Sequence, residues 1–175
     1  MKKHFQQMAV YNQQMNTNVY QMAAQLSTAD LAKDRGAFFG SISGTLNHIL
    51  VGDILWLKRF ASHQTHFVAL EQLNSFELPD SLNAVLYSEW SQLLLARELV
   101  DNAIIQFTAE LTDSVIAEHL TYTNTKGQLF TRSFGLLLQH LFNHQTHHRG
   151  QVSTLLYQLG LDIGVTDLIA FIPED

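Results

Sequence analysis

Leu136-Leu137-Leu138-Gln139-His140-Leu141-Phe142-Asn143-His144-Gln145-Thr146-His147-His148-Arg149-Gly150-Gln151 carries four of the chain's nine histidines. His140, His144 and His148 step by four residues. On a helix that spacing stacks their side chains on one face, each a turn above the last, and Gln151 continues the stripe. Leu137, Leu141 and Leu155 border it, so the face points inward toward other helices. Burying several imidazoles without a shared partner is costly. Imidazole is also the commonest metal-binding side chain, and an i, i+4 pair can grip one divalent ion. The competing reading is a set of core histidines, each with its own hydrogen-bond partner.

A helix with a polar inward stripe needs other helices to face it, and the rest of the chain supplies them. Just before it, Leu120-Thr121-Tyr122-Thr123 and Leu129-Phe130-Thr131-Arg132 are β-prone, with Asn124-Thr125-Lys126-Gly127 between them. That pattern predicts a small hairpin, after which Ser133 caps the histidine helix, which ends before Gly160. Thr166-Asp167 is positioned to cap a last short helix through Ile172. A first helix is expected from His4 to Leu26, where Phe5, Met8, Val10, Met15, Val19, Met22 and Leu26 recur at near-helical spacing. A turn-rich connection follows, with one helical turn at Asp30–Ala32.

A second helix is expected from Ser41 to Ala61, with Ile42, Leu46, Ile49, Leu50, Leu57 and Phe60 as its buried stripe. His48 sits in its middle, with Gly44 one turn before and Gly52 one turn after. A glycine inside a helix costs about 1 kcal/mol relative to alanine. Two of them on this stripe clear space beside the imidazole for a helix or a ligand, or serve close helix packing alone. Asp53 lies about 140° around the helix from His48, which suits packing or hydrogen bonding rather than the same ion. Ser62 to Pro79 reads as a linker with His63 and His66 exposed. A third helix is expected from Leu82 to Glu110, capped by Asp80 or Ser81, with Glu89, Arg97, Glu98 and Asp101 on a solvated face. Thr112–Leu120 reads as a loop with a short helical turn after Asp113. The fold class is therefore all-α, a four-helix bundle with a small β-hairpin or loop insertion before the last long helix.

The bulk numbers exclude several functions. With 175 residues, 46% of them apolar and only two prolines, one ordered domain over residues 1–175 is expected. No apolar run approaches the about 18 residues of a membrane helix, and Lys2-Lys3 is not followed by an apolar stretch, so a cytoplasmic protein without membrane contact is expected. A net charge of −6 without a dense Lys/Arg cluster argues against nucleic acid. The absence of cysteine removes disulfides, thiolate metal sites and a cysteine nucleophile. Any metal must be held by His, Asp or Glu, and any thiol chemistry must take its thiol from a small molecule.

His48 on the second helix and His144 and His148 on the fourth can meet inside a bundle. Three imidazoles leave an open coordination position, the pattern of a catalytic site. Zinc, nickel, iron and copper all suit imidazole. His144-Gln145-Thr146-His147-His148 has Gln145 where a metalloprotease has its general-base glutamate, which argues against peptide hydrolysis.

Leu46-Asn47-His48-Ile49-Leu50-Val51-Gly52-Asp53-Ile54-Leu55-Trp56-Leu57 together with His140 to Gln151 resembles the DinB family, which groups with the YfiT-like metalloenzymes. Tyr122 to Gly127 resembles that family's segment before its last bundle helix, and Asp162 to Leu168 its C-terminal stretch. The resemblance spans nearly the whole chain. It implies an up-down-down-up four-helix bundle, commonly a homodimer, with a divalent metal on His48, His144 and His148. His140 is then a neighbour, and His147 lies to the side. Several members of the wider superfamily are thiol-dependent transferases or isomerases, and many have no assigned reaction. The leading expectation is a metal-dependent enzyme, zinc or nickel first and iron next. Its open position would activate a low-molecular-weight thiol or water, with the small-molecule substrate and the catalytic group unassigned. His140, Gln151, Asn47 and Tyr122 are candidates for supporting the ligands or orienting substrate. The alternatives are a non-catalytic metal- or ligand-binding bundle linked to stress response, and a dimeric interaction protein whose histidines only pack.

Overall fold

Ser41 accepts a hydrogen bond from the Gly44 amide and so starts the helix that carries His48. The computed structural model describes residues 1–174. Its long helices are α1 (Lys2–Ala23), α3 (Ile42–Ala61), α4 (Trp90–Glu110) and α6 (Phe134–Tyr157), with short α2 (Thr28–Ala32) and α5 (Asp113–Ile116) between them. Strands β1 (His119–Thr123) and β2 (Leu129–Ser133) pair antiparallel just before α6, with Tyr122 opposite Phe130. Single 3₁₀ stretches cover Val68–Ser75 and Leu168–Phe171. Among the described residues no helix is long and apolar enough to cross a membrane.

Side-chain contacts fix the helix directions. Gln13 meets Asn102 and Tyr20 stacks on Trp90, so α1 and α4 are antiparallel. Asp53 meets Arg97 and Phe60 stacks on Phe107, so α3 and α4 run parallel. His48 meets His148, and Trp56 packs on His140, so α3 and α6 are antiparallel. The result is an up-down-down-up bundle in which each long helix touches two others. Its core is a column of fully buried side chains from Ile42, Leu46, Leu50 and Leu57 down to Phe60, Phe107 and Phe134. Two parallel helices in sequence need a connection that returns the length of the bundle, and residues 62–89 provide it.

That return path corrects the expected start of the third helix. Residues 82–89 are not helical, because they are pinned to α3 as a strap. The Leu82 carbonyl accepts from His48 Nδ1, and Asn47 binds the Tyr87 backbone on both its amide and its carbonyl. Neither Asp80 nor Ser81 caps a helix; Glu89 holds that position with no side-chain cap bond. Ser133 precedes α6 but its hydroxyl caps nothing, since it still belongs to β2. Asp167 likewise makes no cap bond, and only the 3₁₀ stretch follows it. The α4 charges are corrected too. Arg97 and Asp101 are 2% and 4% exposed, because Asp53 and Asn16 meet them in the interior. His66 is exposed as expected, but the His63 side chain is buried between Phe67 and Phe134, with Nε2 3.2 Å from Glu118.

Candidate metal centre

Antiparallel packing of α3 on α6 sets a register along their seam. His48 faces His148, Gly52 faces His144, and Trp56 faces His140, each pair one helical turn from the next. His48 Nε2 lies 3.0 Å from His144 Nε2 and 3.2 Å from His148 Nε2. Ligand atoms of these three residues lie within 4.8 Å of one another, the one such group of three among the described residues.

The outer nitrogens decide what the inner ones can do. His48 Nδ1 is 2.7 Å from the Leu82 carbonyl, which can only accept, so Nδ1 carries the proton and Nε2 presents a lone pair. His148 Nδ1 is 2.8 Å from Gln151 Oε1, with the same consequence. Two lone pairs therefore point at one small volume, and at most one proton, on His144 Nε2, can lie between the three rings. Packed neutral imidazoles gain little from this arrangement; a cation at their focus takes up the inward nitrogen of each ring, while His144 Nδ1 has no hydrogen-bond partner. The residues present thus fit a divalent metal, with the outer hydrogen bonds fixing tautomer and ring orientation. Burial pushes all three imidazoles below their usual pKa, His144 to about 3, which keeps them in the neutral form that metal binding requires.

Aromatic packing frames the group. Phe39 stacks on His48 with ring centroids 3.7 Å apart and meets His148 edge-on at 5.4 Å. A Cβ on Gly44 would sit 2.2 Å from the Phe39 carbonyl, so this glycine admits the loop that carries the phenyl ring. It does not face an imidazole. Gly52 does, and the imidazole is His144 rather than His48: an added Cβ would lie 2.5 Å from His144 Cε1. Gly52→Ala is therefore expected to keep the helical circular dichroism of the wild type, helped by helix propensity of about 1 kcal/mol, yet lose metal affinity at least tenfold as His144 is pushed aside. Titration with zinc against a chromophoric chelator checks this, and unchanged affinity would refute it.

The other expected residues fall into three places. Gln151 holds His148 and comes within 3.4 Å of His147, which is exposed beside the group. Asn47 is fully buried and its amide is occupied by the strap. His140 sits one turn away, its ring 6.1 Å from His144, and packs on Trp56, under which Tyr122 lies.

A buried polar lattice behind α6 was missed in the sequence. Gln145 and Arg149, each next in sequence to a histidine of the group, reach across to Asn16 and Asn12 of α1. Asn16 then binds Asp101, which with Asp53 brackets Arg97 at 3.0 and 2.5 Å. The signal was available in Asn12 and Asn16, two polar residues one turn apart on α1 among Met8, Met15 and Val19.

Three comparisons bear on this geometry. The sequence model of the DinB family matches residues 1–174. Protein DinB of Bacillus subtilis (strain 168) is 24% identical over 158 residues, covering 90% of this chain and 87% of that protein. The uncharacterized protein YizA of the same organism is 25% identical over 151 residues, covering 86% of this chain and 85% of that protein.

Proposed function

Because this chain belongs to the DinB family, we propose that it is a metal-dependent enzyme that holds a divalent ion on His48, His144 and His148 and acts on a low-molecular-weight thiol or on water. The observation that carries the reading is the convergence of three Nε2 atoms, two of them with Nδ1 engaged by acceptors. When bound, the ion supplies Lewis acidity that lowers the pKa of a coordinated thiol or water. The chain's own residues do the rest. The Leu82 carbonyl and Gln151 hold the His48 and His148 rings in the lone-pair-inward tautomer. Gly52 leaves the His144 ring its place, and Phe39 covers one side of the group against water. The absence of cysteine fits a thiol brought in as cosubstrate. Zinc and nickel are the first choices and iron the next, since neutral imidazoles suit each of them.

Protein purified without a histidine tag is expected to carry about one equivalent of divalent metal, as three imidazoles with an open position imply. It is expected to accelerate transfer of a small thiol, presented from a panel, to a chromogenic electrophile. Chelation should abolish that activity, and zinc or nickel should restore it. Absence of stoichiometric metal would overturn the metal reading. Stoichiometric metal with no rate enhancement for any thiol, and none for hydrolysis of activated esters, would overturn the enzymatic one.

A further inference from the structure

The α3/α6 seam does not end at the three histidines. One turn further along, Trp56 and His140 open into a cavity of about 490 Å³, which His119, Tyr122, Arg132 and Leu136 help to line. On the other side of Tyr122 a second cavity of about 460 Å³ is lined by Lys58, Arg59 and the tip of the hairpin. Tyr122 is the shared wall. Arg59 lies over both Trp56, 4.6 Å from the ring centroid, and Tyr122, at 5.2 Å. Arg132 lies over Phe130, Tyr122's cross-strand partner.

The charge of this region runs against that of the whole chain. The protein has 10 Lys and Arg against 16 Asp and Glu, yet Lys58, Arg59 and Arg132 gather around the two cavities. No carboxylate lines the Trp56–His140 cavity, and Asp80 is the one acid lining its neighbour. Among the described residues, Arg59, Arg132 and Lys58 make no ion pair, whereas the buried Arg97 takes two carboxylates. Arg59 is half-buried with its guanidinium carbon over the Trp56 and Tyr122 rings, and no carboxylate takes its donors. A planar guanidinium fork without a carboxylate partner is suited to a bound carboxylate or phosphate.

We propose that the Trp56–His140 cavity binds the anionic group of a small-molecule substrate or cosubstrate, a carboxylate or phosphate, with Arg132, which lines it, as the anchoring residue and Arg59, packed on the Trp56 and Tyr122 rings of its wall, as supporting positive charge. The aliphatic or aromatic part of that molecule lies against Trp56 and Tyr122. Of the residues lining this cavity, His140 lies beside the three-histidine group, its ring 6.1 Å from that of His144. An anion anchored at Arg132 directs the other end of the molecule past His140 toward the imidazoles. The reactive end rests on the function proposed above; the anion site itself does not.

The test separates the two. Trp90→Phe leaves Trp56 as the one tryptophan, and it lies in the cleft. Metal-free Trp90→Phe protein is titrated at constant ionic strength with inorganic phosphate, with citrate and with uncharged glucose, reading Trp56 emission. Saturable changes with phosphate or citrate, and none with glucose, are expected. Arg132→Gln should weaken that binding at least tenfold, and Arg59→Gln by a smaller factor. Arg132→Lys, which keeps the charge and loses the planar fork, should fall between wild type and Arg132→Gln. Arg132 is exposed on the hairpin, so its variant should fold normally and keeps the test valid if Arg59→Gln does not. No saturable response, or equal affinity in wild type and Arg132→Gln, would overturn the proposal. Loss of metal binding in a protein that still takes up phosphate or citrate would instead count against the metal reading alone.

Discussion

Alanine at His48, His144 or His148 is expected to lower divalent-metal affinity by more than 100-fold in each case. Removal of an outer partner of a metal-bound histidine typically costs about 10–100-fold, and removal of the ligand itself must exceed that. Each of these imidazoles is one of only three that meet, so no spare donor replaces it. His140 cannot step in, since its ring packs on Trp56. The Gln151→Ala variant provides the graded comparison. It frees His148 Nδ1 and lets the ring turn, so a loss of about 10–100-fold is expected. His66→Ala should leave affinity unchanged, because His66 is exposed in the connection between α3 and α4. His63→Ala should also keep the metal while lowering stability, because its ring fills the space between Phe67 and Phe134. Equilibrium dialysis against zinc and nickel, with circular dichroism on each variant, makes the measurement. Wild-type affinity in His48→Ala would sink the three-ligand assignment.

The histidine stripe was legible because helical periodicity is a local property of sequence. A spacing of four on an apolar-bordered face already places three rings together on α6. The hairpin was legible for the same reason, from β-prone runs around Asn124–Gly127. What periodicity cannot encode is which elements face each other. Arg97 and Asp101 look like ordinary surface charges, and Asp53 like a packing or hydrogen-bonding residue without an evident partner, until α3 and α4 are laid parallel and α1 closes over them. Leu82 to Glu89 has helix-compatible composition, yet it is held out of the helix by Asn47 and His48, more than thirty residues earlier. The sequence leaves Gly52 open between clearing space beside His48 and close helix packing, whereas the ring it makes room for lies on another helix. In each case tertiary partners decided what local preference left open.

Those buried charges carry the largest expected loss of stability. Arg97→Met should destabilise the protein by about 3–5 kcal/mol, because it strands Asp53 and Asp101 without a counter-charge in the interior. Burial already pushes the Asp53 carboxyl up to about 6 against the pull of Arg97, and raises Asp101 as well. Burial opposes the charge on Arg97, but the two carboxylates outweigh it and keep the guanidinium ionised. Without Arg97 both acids rise further. An acid whose folded pKa lies above its unfolded value binds more protons in the folded state, so its contribution favours the fold at low pH and is lost as pH rises through the folded pKa. The variant should therefore be hurt more at about pH 8 than at about pH 5, a window set by the raised Asp53 value. Asp53→Asn added to Arg97→Met should recover part of the loss at the higher pH by removing one stranded charge, a coupling that a double-mutant cycle reads directly. Urea denaturation at both pH values is the measurement. A loss below about 1 kcal/mol, equal at both pH values, would mean that solvent reaches these carboxylates and that they are not a buried ion cluster. Because Asp53 directly follows Gly52, and Asp101 connects through Asn16 to Gln145 beside His144, the same variant should also weaken metal binding, though by less than removal of a histidine.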